Sequence, residues 1–341
     1  MRLLIIGGTS FLGRATAVEA LRRGDRVTTF NRGQSAADVE GVEAVRGDRD
    51  DEAALGQLEG RDFDGVVDTC GFVPRVVGKA TRALSDTVGH YAFVSSISAS
   101  GQWPGEVAHD DDEGPPCTSD AGPDDGDYGV LKAGCERAVR EVFGDRSTIA
   151  RAGLILGPHE NVGRLTWWLS RMARGGEVLA PGDRDRAMQL IDARDLATYL
   201  LNAIDAGTSG TYNVSAPPGN ATMGSWLGDV AHAVRSDAQL TWVEDDFLLA
   251  HDVEPWTEVP LWMPPGQDGD HVWDADTSGA AKTGLSCRPV SETVRDTWAW
   301  MQADDVQPDD GAGRFGGHGA GGINGIDADK EGRVLAAWHA R

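Results

Sequence analysis

The chain has 341 residues, long enough to bury a substantial core and still line a ligand cleft. Its formal charge of −23 repels nucleic-acid phosphates and anionic lipid surfaces and argues against both as partners. No apolar run reaches the ~20 residues of a membrane helix, and the opening MRLLIIGGTS is too short an apolar run for a secretory signal, so a cytoplasmic protein is expected.

Cys70, Cys117, Cys135 and Cys287 form no CxxC pair, which predicts reduced thiols and no metal site. Only Lys79, Lys132, Lys282 and Lys330 are lysines, and aspartate outnumbers glutamate. This balance fits a salt-adapted surface or a GC-rich genome equally well.

In chain order, apolar runs at residues 3–6, 27–30, 66–67 and 91–94 alternate with helical patterns at 15–23 and through Lys132. That rhythm predicts βαβ units and a doubly wound parallel sheet of the Rossmann type. Apart from Thr28 and Thr29 the runs are continuously apolar and not alternating, as expected for strands buried on both faces. Residues 149–156 and 210–214 fit the same sheet, with a helix at 195–206 between them. The expected domains are a nucleotide-binding unit (1–158 plus about 188–215) and a smaller substrate lobe (159–187 plus 216–300) roofing the strand ends.

Residues 303–325 are rich in Asp and Gly and predict a flexible linker, so 301–341 is read as linker plus a short helix at 331–338. Asp327, Asp329 and Glu331 resemble a calcium loop, but the twelfth position is Trp338 where a bidentate Glu is needed, so calcium is not expected. The glycine run 316–322 lacks the aspartate of a calcium-binding repeat.

The first strand is followed at once by GGTSFLG, and Gly24 closes the next helix. Glycines there permit a tight turn and close approach of backbone to a pyrophosphate at the helix N-terminus. The candidate cofactor residues in this turn are Gly7, Thr9, Ser10, Phe11, Leu12 and Gly13, with Gly8 beside them. At the end of the second strand stand Asn31 and Arg32 in place of the carboxylate that selects NAD. Arginine attracts a 2′-phosphate, so NADP(H) is expected over NAD(H). A surface arginine in a turn before Gly33 is the alternative.

Tyr128 and Lys132 lie four apart on one helix face beside the apolar stripe Leu131, Cys135, Ala138, Val139 and Val142. A free tyrosine holds its proton to a pKa of ~10, and a neighbouring cation favours the phenolate needed for proton exchange near neutrality. Tyr128 is therefore the candidate general acid/base.

With FVSSISASG ahead of that pair, the chain over about residues 1–300 resembles the extended short-chain dehydrogenases/reductases, the NAD-dependent epimerase/dehydratase family. The resemblance implies that Ser96 polarises the substrate carbonyl, with Ser95 its neighbour, and that Asp48 in GDRDD holds adenine. It also implies cofactor contacts at Cys70, Gly71, Ser95, Tyr128 and Lys132. RAGLILGP at 151–158 is similar to the strand and turn beside the nicotinamide, and IDARDL at 191–196 to the motif bordering the substrate lobe.

Two departures narrow the activity. Ile97 and Ser98 follow Ser96 where sugar dehydratases of the family carry acidic residues. Met188 stands where nucleotide-sugar epimerases place a pyrophosphate-binding arginine, with Arg186 two residues earlier. The expectation is an NADP(H)-dependent oxidoreductase acting on a small carbonyl or alcohol. A sugar epimerase with tightly held NAD and a non-catalytic NAD(P)-binding sensor or scaffold are the alternatives. A small-molecule substrate is the expected partner, with a homodimer possible.

The acidic segment 102–127 is either a solvated rim or a loop that brings Trp103 or His109 to substrate. Trp167, Trp168 and residues 255–265 are either a pocket wall or lobe core.

Overall fold

The computed structural model describes residues 1–266, 269–303 and 325–341, so most of the expected linker, with its glycine run, lies outside the described residues. The elements in chain order are β1 (Arg2–Ile6), α1 (Phe11–Arg22), β2 (Arg26–Asn31), β3 (Glu43–Arg46), α2 (Glu52–Leu55), β4 (Phe63–Asp68), α3 (Pro74–Leu84), β5 (Val88–Ser96), α4 (Tyr128–Phe143), β6 (Ser147–Ala152) and β7 (Leu154–Leu156). There follow α5 (Arg164–Ala173), β8 (Glu177–Pro181), β9 (Ala187–Met188), β10 (Leu190–Asp192), α6 (Ala193–Ala206), β11 (Gly210–Val214), β12 (Ala221–Thr222) and α7 (Met223–Val234). The last are β13 (Gln239–Val243), α8 (Asp245–Ala250), α9 (Ser278–Lys282), α10 (Val290–Ala303) and α11 (Ala328–His339).

They form two compact units. The first comprises Met1–Ile155, Ile191–Pro217 and Ala275–Cys287; the second comprises Leu156–Leu190, Pro218–Asp274 and Arg288–Arg341. Residues 275–287, read from sequence as part of the substrate lobe, thus belong to the first unit, where the Asp276 carbonyl accepts from the Asn213 amide at 3.2 Å.

The first unit is built on a seven-stranded parallel sheet in the order β11-β6-β5-β4-β1-β2-β3. Its continuous apolar runs have a direct cause: alternate residues of the central strands serve two different cores. Leu3, Ile5, Val67 and Val94 pack with Ala17 and Ala20 of α1 and with Leu196 and Leu200 of α6. Leu4, Ile6, Val66 and Phe93 pack on the other face with Val77 and Leu84 of α3 and Cys135 and Val139 of α4. Each Val, Leu, Ile or Phe among them contributes about 1.5–3 kcal/mol by leaving water.

The expected strand 149–156 is two strands, broken at Gly153, where a Cβ would lie 2.5 Å from Ser215 Oγ.

In the second unit, parallel β8 and β13 accompany helices around buried Trp168, Trp226 and Trp262. Trp168 donates to the Pro260 carbonyl at 2.8 Å and Trp262 to Asp245 at 2.7 Å, so these tryptophans are core of this unit. The C-terminal helix α11 runs longer than the expected 331–338. Its buried Glu331 accepts from Arg171 Nε and from the Leu179 amide, while Asp327 caps the helix through the Asp329 and Lys330 amides. The acidic string at 327–331 is thus a cap and a buried ion pair.

Candidate active site

Strand order reverses at β1, which has β2 on one side and β4 on the other. Ligands of open parallel sheets bind outside the carboxyl ends of strands at such a point. Three turns meet there in register, since Ile6 is the partner of both Phe30 and Asp68. After β1, Gly7 takes φ +112° and a Cβ on it would lie 2.6 Å from Thr69 Oγ1. A Cβ on Gly13 would lie 2.6 Å from the Gly8 nitrogen, so the turn folds back on α1 only with glycine there.

Ser10 precedes α1 without a side-chain cap, and no acidic residue occupies the first turn. The amides of Phe11, Leu12 and Gly13, which have no intrahelical acceptor, therefore form an electropositive end that fits a dinucleotide pyrophosphate. Thr9 and Leu12 are buried, so Leu12 offers this site its main chain and not its side chain.

Asn31 is spent inside the protein. It donates to the Gly7 carbonyl at 3.1 Å and accepts from the Gly33 amide at 2.8 Å and from Arg46 at 2.9 Å, stapling the end of β2 to the glycine turn. Arg32 Nη1 lies 3.9 Å from the Asp48 carboxylate, and both are exposed. The arginine that was to receive a 2′-phosphate thus has a carboxylate beside it, which weakens its pull on a second anion.

Ser96 closes β5, and its Oγ accepts from the Ser98 amide at 3.2 Å, capping a short 3₁₀ turn at Ile97–Ala99. A hydroxyl that accepts in this way keeps its proton to donate to a substrate oxygen. Tyr128 is the first residue of α4, capped by Asp127 through the Val130 amide at 3.0 Å, and its ring is partly exposed. A Cβ on Gly129 would collide with the Ser98 carbonyl, so the start of α4 sits close against the turn that follows Ser96.

Lys132, only 3% exposed, donates to the Gly71 carbonyl at 2.9 Å and the Val94 carbonyl at 2.7 Å, with the Phe93 ring centroid 4.6 Å away. Burying an ammonium is costly, and these carbonyls and the ring face offset that cost. Two of its three N–H donors are used.

Sequence reasoning missed Glu136, one turn beyond Lys132 on α4. It is 1% exposed on its side chain, receives the Ser95 hydroxyl at 2.6 Å, and is gripped by Arg151 through Nε at 2.9 Å and Nη2 at 3.0 Å. The Ser95 hydroxyl expected at the cofactor is thus engaged by Glu136. A charged residue on an otherwise apolar helix stripe was the available signal. Arg49 and Asp68 were also missed. They form a buried ion pair behind Cys70, whose thiol burial pushes up and whose Sγ donates to the Ile6 carbonyl at 3.4 Å.

The 102–127 segment is tied to this unit at several points. Asp112 accepts from Ser100 Oγ at 2.5 Å and from the His109 amide at 2.7 Å, and its carbonyl receives Arg151 Nη1 at 3.0 Å. Asp110 accepts from the Asn213 amide at 2.6 Å. Trp103 packs on Ile97, Ala108 and Ala275, and His109 faces Asp276 at 3.5 Å. Asp192 of the IDARDL motif caps α6 through the Arg194 amide at 2.7 Å.

No curated protein matches the chain in sequence. Among solved structures, the Bordetella bronchiseptica enzyme WbmH in complex with NAD+ is 18% identical, with a TM-score of 0.68 over 89% of this chain and 99% of that one. WbmG of the same organism, in complex with NAD and UDP, is 18% identical, with a TM-score of 0.67 over 90% and 97%. The Thermotoga maritima UDP-glucose 4-epimerase with UDP-glucose is 15% identical, with a TM-score of 0.67 over 90% and 100%. At these identities the likeness is one of fold. The family model for the NAD dependent epimerase/dehydratase family matches residues 3–215. The chain belongs to the NAD-dependent epimerase/dehydratase family.

Proposed function

We propose that the protein is an NAD-dependent epimerase acting on a secondary alcohol of a sugar-like substrate. The observation that carries this is the grouping of Ser96, Tyr128 and the carbonyl-seated Lys132 at the carboxyl ends of the sheet, beside a glycine turn that fits a dinucleotide. The family match and the UDP-sugar 4-epimerases among the structural neighbours support the epimerase reading over the simple reductase that the sequence alone favours.

In this reading the amides of Phe11–Gly13 hold the pyrophosphate. The nicotinamide, when bound, supplies reversible hydride acceptance at the carbinol carbon. Ser96 donates to the substrate oxygen, and Tyr128 takes its proton and later returns it. Lys132, held by its two carbonyls, would stabilise the tyrosine oxygen through its remaining N–H. Asp48 beside Arg32 supports NAD as the cofactor, since a 2′-phosphate drawn to that arginine would also meet the carboxylate.

One observation favours a second reading, an NADP(H)-dependent reductase of a small carbonyl. Arg186, the arginine two residues ahead of Met188 in sequence, is committed to Asp245 at 2.7 Å and to the Met263 carbonyl at 2.8 Å. Incubation with a panel of UDP- and dTDP-hexoses and free sugars, with NAD in catalytic amount, separates the two. Inversion at one carbon, read by proton NMR, supports the epimerase. No inversion, with NADPH consumed against small ketones, refutes it.

A further inference from the structure

Lys132 serves the proposed chemistry only if its ammonium stays where it is, and one of its two seats, the Gly71 carbonyl, belongs to the turn after β4. That turn is held from behind by Asp68, which is 0% exposed. Asp68 Oδ1 accepts from the Cys70 amide at 3.2 Å and from Arg49 Nη1 at 2.7 Å. Its Oδ2 accepts from Arg49 Nη2 at 2.7 Å and from the Tyr91 hydroxyl at 2.8 Å. The carboxylate therefore has four donors around it, which matches its accepting capacity. Burial pushes the Asp68 carboxyl up, and the Arg49 guanidinium together with the Tyr91 hydroxyl and the Cys70 amide outweighs this, holding it below the usual carboxylate range.

A buried ion pair is weak evidence for stability, because well-packed apolar residues of similar volume often do as well. An apolar pair here would leave the Cys70 amide without its acceptor and the turn free to rotate. The charged pair thus supplies orientation, passed through one peptide to the Gly71 carbonyl.

We propose that Asp68, ion-paired with Arg49, is a positioning residue for the proton-transfer machinery: it fixes the Cys70–Gly71 turn so that the Gly71 and Val94 carbonyls together seat the Lys132 ammonium. This rests on the role given above to Lys132. Asp68 touches neither substrate nor the reacting atoms.

The test uses the full chain and needs no substrate. The protein has four lysines, so acylation by N-hydroxysuccinimidyl acetate, resolved by peptide mass spectrometry over a pH series, reads each one separately. In the unmodified protein Lys132 should react at least roughly tenfold more slowly than exposed Lys282, since it reacts only when its seat opens. Asp68→Asn should raise the Lys132 rate roughly tenfold, the scale of a lost charge-assisted hydrogen bond, with Lys79, Lys282 and Lys330 unchanged.

A Lys132 rate unaffected by Asp68→Asn overturns the proposal. So does a rise shared by all four lysines, which marks general loosening. Should Asp68→Asn fail to fold, Tyr91→Phe, which removes one donor, and the neutral pair Arg49→Met with Asp68→Asn carry the same test. A selective rise at Lys132 in either supports the proposal, and unchanged labelling in both overturns it. Failure of the underlying mechanism is distinguishable, because it shows as a Lys132→Met protein that keeps its turnover whatever the labelling pattern.

Discussion

Truncating Glu136 to alanine should cost far more than a single hydrogen bond, because it strands a buried guanidinium. The carboxylate accepts from Ser95, doubly from Arg151 and from Arg140 Nη2 at 3.2 Å, while the Arg151 side chain is 2% exposed. Breaking a buried pair from one side costs about 3–5 kcal/mol. In a unit of about 150–250 residues each kcal/mol moves the melting temperature by about 2–4 °C, so the drop should be about 6–20 °C. Replacing both partners, Glu136→Met with Arg151→Met, strands no fully buried guanidinium, leaving only the part-exposed Arg140 without its carboxylate, and should destabilise less than Glu136→Ala alone. It still loses the Arg151 bond to the Asp112 carbonyl, about 1 kcal/mol. Calorimetry of Glu136→Met, Arg151→Met and the double variant gives the coupling directly. A double variant as unstable as the sum of the singles would refute the argument, because independent losses add and a broken ion pair does not.

Tyr128→Phe keeps the ring and should lower turnover by about 100- to 10,000-fold with NAD binding intact, as isothermal calorimetry and rate assays would report. Ser96→Ala should cost no more than Tyr128→Phe, and Lys132→Met should impair both turnover and cofactor binding. Gly13→Ala should abolish NAD binding, since the new Cβ would lie 2.6 Å from the Gly8 nitrogen; retained affinity by fluorescence titration contradicts the turn geometry. Asp48→Ala should strengthen NADPH binding relative to NADH by leaving Arg32 unpaired, whereas an unchanged preference means that the exposed pair plays no part in selection. Asp68 is held below its usual range, so its stabilisation is complete above its unfolded value of 3.8 and is lost as pH falls through the lower folded value. Melting curves of the Arg49→Met, Asp68→Asn pair should accordingly lack the share of acid destabilisation that the unmodified protein shows below pH 3.8.

Much of this architecture is legible in the sequence because its signals are local. The uninterrupted apolar run at β1 needs two-sided burial, the glycines of GGTSFLG need a turn that no side chain permits, and Tyr128 with Lys132 needs one helix face. What stayed hidden depends on long-range pairing. Arg49 and Asp68 are 19 residues apart, and only the fold brings the turn after β3, which carries Arg49, onto Asp68 at the buried end of β4. The exposed strand β3, one buried residue in four, carries too few apolar residues to stand out. Residues 275–287 were placed by their neighbours in sequence, while the bonds of Asp276 to Asn213 and of Tyr199 to Thr283 place them in the first unit. Arg32 was read without Asp48, which reaches it from the turn after β3.

The central claim, hydride removed from and returned to the same substrate, is tested most directly by accounting for the cofactor. Purified protein is denatured to identify and quantify any released nucleotide, and a second portion is mixed with an epimerised sugar while absorbance at about 340 nm is followed. The account predicts NAD as the nucleotide, a reduced-cofactor signal bounded by the enzyme concentration, and many turnovers of substrate with no net change in added NAD or NADPH. Consumption of NADPH in step with substrate would contradict it and would establish the reductase instead.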